Sequence, residues 1–326
     1  MNVRQVVPKD AIPSVDDPEF RDTHPEPGDE VVGVEIDGEA RAYPIRYLNY
    51  HEIVNDRVGG VPIAATWCPL CGSVVVYDRR PTAGELPAEI DDPGTLEFGV
   101  SGKLADDDLV MYDRETGSEW KQSLGEAIAG PLAGARLRIR PATTTTWARF
   151  RDGHPDAVVM AEPGGESEAA GDGAEPEPVD YDDDPYRDYF EAEGFGLDAH
   201  RGDGGGREWD REDLAAKERV LGLEIGGDAL AFPSGRVEAA GSVATATVGG
   251  EDVVVVADGG EMAAYRDPGF DWRAAEDGLR GDGTLWDAAT GEPLDGSGRD
   301  PLERLPAQWL FAFAWQDDHG DAFWSP

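Results

Sequence analysis

The only two cysteines of this 326-residue chain stand three positions apart, in Trp67-Cys68-Pro69-Leu70-Cys71-Gly72. A Cys-x-x-Cys pair on one tight turn lets two thiolates converge. A glycine after the second supplies a positive φ, which turns successive backbone N–H groups toward the sulfurs. Rubredoxin-like and zinc-ribbon centres use such a knuckle. A tetrahedral centre needs four donors, so within one chain the others must be histidine, methionine, carboxylate or water. His51, in Tyr50-His51-Glu52-Ile53-Val54-Asn55-Asp56, is the leading candidate, because neutral imidazole suits zinc, copper and iron alike. Its neighbour Glu52 could ligate, orient the ring or act as the catalytic proton carrier. Met111 lies in the apolar run Leu109-Val110-Met111-Tyr112. It is either core packing or a soft ligand that would turn the site from zinc toward copper. The expected site is therefore Cys68, Cys71, His51 and Met111 around a zinc or copper ion, with Glu52 as the catalytic group.

Two other readings of the thiols stay open. Trp-Cys-x-x-Cys also describes thioredoxin-type redox loops, in which a helix N-terminus lowers the pKa of the first cysteine. Here the continuation Gly72-Ser73-Val74-Val75-Val76-Tyr77-Asp78 is a strand pattern, so that mechanism is missing, although a reversible disulfide is not. Structurally inert thiols are the third reading.

The elements that must position these residues are short strands separated by turns. Val31–Ile36 and Glu39–Tyr43 flank Asp37-Gly38, the strongest two-residue hairpin signal. Further strands are expected at Ile63–Thr66, Ser73–Tyr77, Leu96–Ser101 and Leu109–Tyr112, with one short helix at Ile45–Asn55. The fold class is mainly β with few short helices.

The chain also resembles itself. Val31-Val32-Gly33-Val34-Glu35-Ile36 through Pro44 matches Val220-Leu221-Gly222-Leu223-Glu224-Ile225 through Pro233. Val58-Gly59-Gly60 matches Val248-Gly249-Gly250, Tyr112–Gly117 matches Trp286–Gly291, and Phe150–Asp156 matches Trp315–Asp321, all in the same order. This predicts two related β-rich units, sandwich- or barrel-like, at 1–160 and 213–326. Between them, 161–212 is Gly-, Pro- and acid-rich and reads as a linker, within which Asp184–Phe190 is aromatic enough to dock on a neighbour. The second unit has no thiols and no counterpart of His51, so only the first can carry the site.

Composition narrows the classes further. Asp plus Glu number 68 against 28 Lys plus Arg, a net charge of −40. Such a surface repels itself at low ionic strength, whereas molar salt shortens the screening length to roughly 3 Å, so a halophilic, salt-adapted surface is expected. No basic face exists to neutralise phosphates, which excludes nucleic acid as a partner. No stretch approaches the roughly 20 apolar residues of a membrane span, and the N-terminus lacks a secretory pattern. A cytoplasmic location is the expectation, with a metal ion as the one partner the residues suggest.

Ala40–Pro44, His51–Asp56, Cys68–Ser73, Phe98-Gly99-Val100-Ser101-Gly102, Met111–Arg114 and Trp120-Lys121-Gln122 together resemble the signature blocks of a family of uncharacterised proteins, domain of unknown function 3179, found in bacteria and haloarchaea. The resemblance covers nearly the whole chain. It brings no established activity with it, but it implies that the His-Glu block and the Cys pair belong to one pattern. Three functions follow: a metal-binding protein, a metal-dependent or thiol-based redox enzyme, and an interaction scaffold in which the thiols are incidental.

Overall fold

The computed structural model describes all residues except 25, 83–85, 88–91, 172–174, 203–206 and 276–277. The fold is mainly β, and no helix among the described residues exceeds eight residues. Contacts divide the chain into two units, Met1–Asp210 and Arg211–Pro326.

In the first unit the strands are Val3–Gln5 (β1), Val15–Asp16 (β2), Phe20–Arg21 (β3), Glu30–Ile36 (β4), Glu39–Pro44 (β5), Ile53–Val58 (β6), Val61–Cys68 (β7), Ser73–Asp78 (β8), Phe98–Ala105 (β9), Asp108–Asp113 (β10), Glu119–Lys121 (β11), Glu126–Ala129 (β12), Thr143–Thr146 (β13) and Val158–Met160 (β14). One sheet has the order β1-β9-β10-β11-β12, a second β13-β4-β5-β14-β3, and β8-β7-β6-β2 are neighbours in a third. The β4–β5 hairpin closes with Ile36 opposite Glu39. Asp37 and Gly38 hold φ of 51° and 81°, the pair of positive values a two-residue turn requires.

The expected helix at Ile45–Asn55 is shorter than its pattern suggested. Helix α1 spans Ile45–His51 and stops at Glu52, whose φ is 57°. A left-handed residue ends the i→i−4 ladder, and the β-branched Ile53 and Val54 continue as β6, paired with Thr66 and Ala65 of β7.

Helix α2, Trp147–Gly153, starts at Thr146, whose hydroxyl caps the N–H of Arg149. It packs Trp147 and Phe150 into a core with Val31, Ala42 and Val159. The approach is so close that a Cβ on Gly33 would stand 2.4 Å from the Phe150 ring. Only glycine fits there.

The acidic stretch after 160 belongs by its contacts to the first unit. Its described residues include helices α3, Arg187–Glu191, and α4, Gly196–Arg201. Tyr181, Tyr186, Tyr189, Phe195 and Leu197 are all buried. These large side chains outweigh the small and charged residues around them; residues 172–174 and 203–206 of the stretch lie outside the described residues.

In the second unit, Arg219–Ile225 pairs with Asp228–Pro233 and with Gln308–Phe311. Val243–Val248, Glu251–Asp258 and Glu261–Arg266 form a three-stranded meander, as do Arg273–Ala275, Gly278–Gly281 and Thr284–Trp286. Tyr265, Trp272, Leu279, Trp286 and Leu302 share its core.

Candidate metal centre

β7 runs into the knuckle and β8 runs out of it, with Cys68 opposite Ser73 across the turn. Gly72 has φ 55°, and its N–H donates to the Pro69 carbonyl at 3.3 Å. Both cysteines are free and buried. The strand after Cys71 is present as expected, so no helix dipole acts on Cys68.

The block Trp120-Lys121-Gln122 explains why the knuckle strands stay in register. The Gln122 side-chain amide donates to the Thr66 hydroxyl at 2.9 Å, and its carbonyl accepts from the Ser73 hydroxyl at 2.8 Å. One buried amide thereby bonds both β7 and β8 next to the turn. Trp120 donates from Nε1 to Asp113 at 2.9 Å.

A third donor comes from the β9–β10 hairpin. Asp106 and Asp107 form its turn with φ of 53° and 69°, a conformation L-residues other than Asn and Asp rarely accept. The turn directs the Asp107 carbonyl at the thiols, 3.4 Å from Cys71 Sγ and 3.9 Å from Cys68 Sγ. Asp107 is anchored from behind by Arg4 at 2.7 Å and by the Leu197 N–H at 3.3 Å. Asp108 follows at 2% exposure, its Oδ2 accepting from the Ser123 N–H at 2.9 Å. The sulfurs of Cys68 and Cys71 and a carboxylate oxygen of Asp108 all lie within 4.8 Å of one another. No other such group of three occurs among the described residues.

Electrostatics favour a cation at this point. Burial pushes the Cys71 thiol well above its ordinary value, and the neighbouring Cys68 adds to the rise. Burial raises Cys68 as well, partly offset by hydrogen bonds from Cys71, including its backbone N–H. Glu52, 8% exposed, is pushed up to about 8 by burial, then by Glu168 and Asp108. Buried acidic groups disfavour ionisation unless positive charge offsets them, and the buried Lys121 acts on Cys71 in that direction.

The other residues expected in the site have other surroundings. His51 Nδ1 faces the Pro13 carbonyl at 2.9 Å and Nε2 faces the Tyr181 hydroxyl at 2.6 Å. A carbonyl only accepts, so Nδ1 carries the proton. Burial lowers the pKa of this ring, so Nε2 accepts from Tyr181, which in turn accepts from the Gly164 N–H at 3.0 Å. Both ring nitrogens are thus engaged away from the thiols. Met111 is fully buried on β10, with Trp120 and Val100 as cross-strand neighbours. His154 stacks on Phe150 at 4.5 Å.

Cys68 and Glu52 share the lining of a cavity of about 820 Å³ with Tyr186, Glu168 and His200. Tyr189 donates from its hydroxyl to the Leu70 carbonyl at 2.6 Å, tying α3 to the knuckle. Sequence reasoning missed Asp108, Asp107 and Tyr186. Two of these are acids among 68, and no spacing rule separates them from the rest; an Asp-Asp hairpin turn was the one available signal.

The strand-turn-strand knuckle and the nearby carboxylate place the chain among β-rich proteins with a dithiol site. It belongs to the DUF3179 family, described as protein of unknown function, whose model matches residues 9–322. Neither the curated proteins nor the solved structures contain a significant match. No helix among the described residues is long and apolar enough to cross a membrane.

Proposed function

We propose that this protein binds a divalent metal ion, zinc before copper, through Cys68, Cys71 and Asp108. The carrying observation is the convergence of two sulfurs and a carboxylate oxygen within 4.8 Å. Zinc accepts thiolate and carboxylate donors together, whereas a copper preference would call for softer thioether or imidazole donors. Three protein donors leave a position for water or a ligand, and Cys68 lines a cavity large enough to supply one. In this reading His51 positions the fold through Tyr181 and Pro13, and Glu52 is the proton carrier beside the open position. The test is elemental analysis of protein purified in molar salt: about one metal per chain in the wild type and none in Cys68→Ser. Absence of stoichiometric metal in the wild type would sink the reading.

A dithiol–disulfide couple is the second reading, favoured by the two thiols sharing one carbonyl acceptor, Asp107. Redox titration with mass analysis of alkylated thiols separates it from the first, because a metal-bound pair resists oxidation until chelator is added.

The salt-adapted surface and the internal duplication are part of the same proposal. Supporting duplication, Gly249 and Gly250 have φ of 56° and 83°, beside 53° and 77° at Gly59 and Gly60. Asp113 accepts from the Thr116 N–H at 2.6 Å, and Asp287 from the Thr290 N–H at 2.7 Å. Duplication makes the thiol knuckle an addition to one copy of a scaffold that folds without it.

A further inference from the structure

The first unit buries a cation to which ligation by two thiols and a carboxylate gives no role. Lys121, on β11, is 2% exposed, whereas Lys9, Lys103 and Lys217, the other lysines of the chain, all keep access to solvent. Taking an ammonium out of water is costly unless negative charge stands close by, so a fully buried lysine marks such a charge.

The strand register says which charge that is. Lys121 stands opposite Val110 of β10, so the two side chains share one face of the sheet, and Asp108, two residues before Val110, lies on that same face. The Ser123 N–H donates to Asp108 at 2.9 Å, which carries the register past the end of β11. Lys121 is thus the diagonal neighbour of Asp108, a separation that a long side chain spans. On its other side Lys121 stands opposite Glu126 of β12, whose carboxylate bonds Arg136 at 2.6 Å. Asp108 is the deeply buried acid of the two, and it lies beside both sulfurs. The charge of Lys121 also acts on Cys71.

Lys121 has no access to anything that enters the cavity: among the described residues the lining includes Cys68 but neither Cys71 nor Lys121. Its influence on the centre passes through Asp108 and Cys71, and the charges give that influence a sign. Two thiolates and one carboxylate bring three negative charges, a divalent ion leaves a surplus of one, and an ammonium removes it. An interior that penalises net charge favours the neutral assembly.

We infer that Lys121 is the built-in counter-charge of the cluster formed by Cys68, Cys71 and Asp108: a positioning residue that steadies the Asp108 carboxylate beside the sulfurs and brings the metal-loaded centre to neutrality. Hydrogen-bonded or paired carboxylate ligands are the usual outer support of a metal site, and losing that support weakens metal binding. The part concerning the loaded centre rests on the metal reading; the part concerning Asp108 does not.

Two measurements in molar salt, which screens buried charges far less than exposed ones, test the parts separately. In chelator-treated protein, urea unfolding of Lys121→Met, Asp108→Asn and the double variant closes a mutant cycle. The double variant should be less destabilised than the two single variants summed, because each single change strands the charge the other removes. Additive losses overturn the inference. Lys121→Gln takes the place of Lys121→Met in the cycle if the latter does not fold. In zinc-loaded protein, competition with a chromophoric chelator should find binding about tenfold weaker in Lys121→Met and largely restored in Lys121→Arg. Unchanged zinc affinity in Lys121→Met, or an equal loss in Lys121→Arg, makes Lys121 a partner of the fold alone and overturns the inference. A wild type that takes up no zinc while its cycle stays non-additive removes the metal reading and supports the counter-charge to Asp108.

Discussion

The Sγ of Cys71 lies 3.4 Å from the Asp107 carbonyl oxygen, a contact between a knuckle and a hairpin turn distant in sequence. It exists because two successive aspartates accept positive φ, and it brings Asp108 beside the sulfurs.

Asp108 is therefore expected to matter for metal retention. Asp108→Asn keeps the shape but withdraws the charge and should weaken zinc affinity roughly 10- to 100-fold, a loss typical of a weakened metal shell. Competition with a chromophoric chelator measures it. Unchanged affinity would remove Asp108 from the ligand set.

His51 should behave as a structural residue. His51→Ala leaves the Tyr181 hydroxyl and the Pro13 carbonyl without their partner. The expected cost is about 1–3 kcal/mol of stability, with metal stoichiometry unchanged in protein that remains folded. Urea unfolding and elemental analysis read the two separately, and loss of metal without loss of stability would restore His51 as a ligand.

Both thiols should be slow to react without metal. Burial raises their pKa values, so the thiolate fraction near pH 8 is below that of an ordinary cysteine. Iodoacetamide should alkylate the native metal-free protein at least about tenfold more slowly than the urea-unfolded chain. Equal rates would contradict the burial.

Glu52 should give the metal-free protein a pH-dependent stability. Its pKa in the folded chain is about 8 against an ordinary 4.5. Folding thus favours the protonated form: the contribution is present in full below the ordinary value and is lost as pH rises through about 8. The slope for one proton is at most ~1.4 kcal/mol per pH unit. Denaturation midpoints should fall between about pH 5 and pH 8, and Glu52→Gln should flatten that part of the profile; equal slopes in both proteins would count against it.

Gly33 offers a test of packing. A Cβ there would stand 2.4 Å from the Phe150 ring, so Gly33→Ala must displace α2 and should cost about 1–3 kcal/mol. In the second unit Gly222 stands as close to Trp315, at 2.2 Å, and Gly222→Ala should cost a similar amount. Thermal unfolding of each variant checks both, and an unperturbed midpoint would mean the helix yields freely.

The sequence by itself determined what local chemistry controls. Two β-type runs flanking an Asp-Gly pair set the β4–β5 hairpin, and a Cys-x-x-Cys-Gly spacing set the knuckle and its two strands. At Glu52 the helical pattern misled, because the left-handed backbone there depends on bonds to Leu48 and Trp67 rather than on side-chain periodicity. Tertiary structure alone decided the partners of the thiols. His51 and Met111 were the residue types a metal favours, yet the fold gives one ring to Tyr181 and Pro13 and the other side chain to the sheet core. Asp108 was one carboxylate among many, and a hairpin whose turn is held by Arg4 and Leu197 made it the one beside the sulfurs. Residue type states which atoms can ligate, but only the packed chain brings distant atoms within bonding reach.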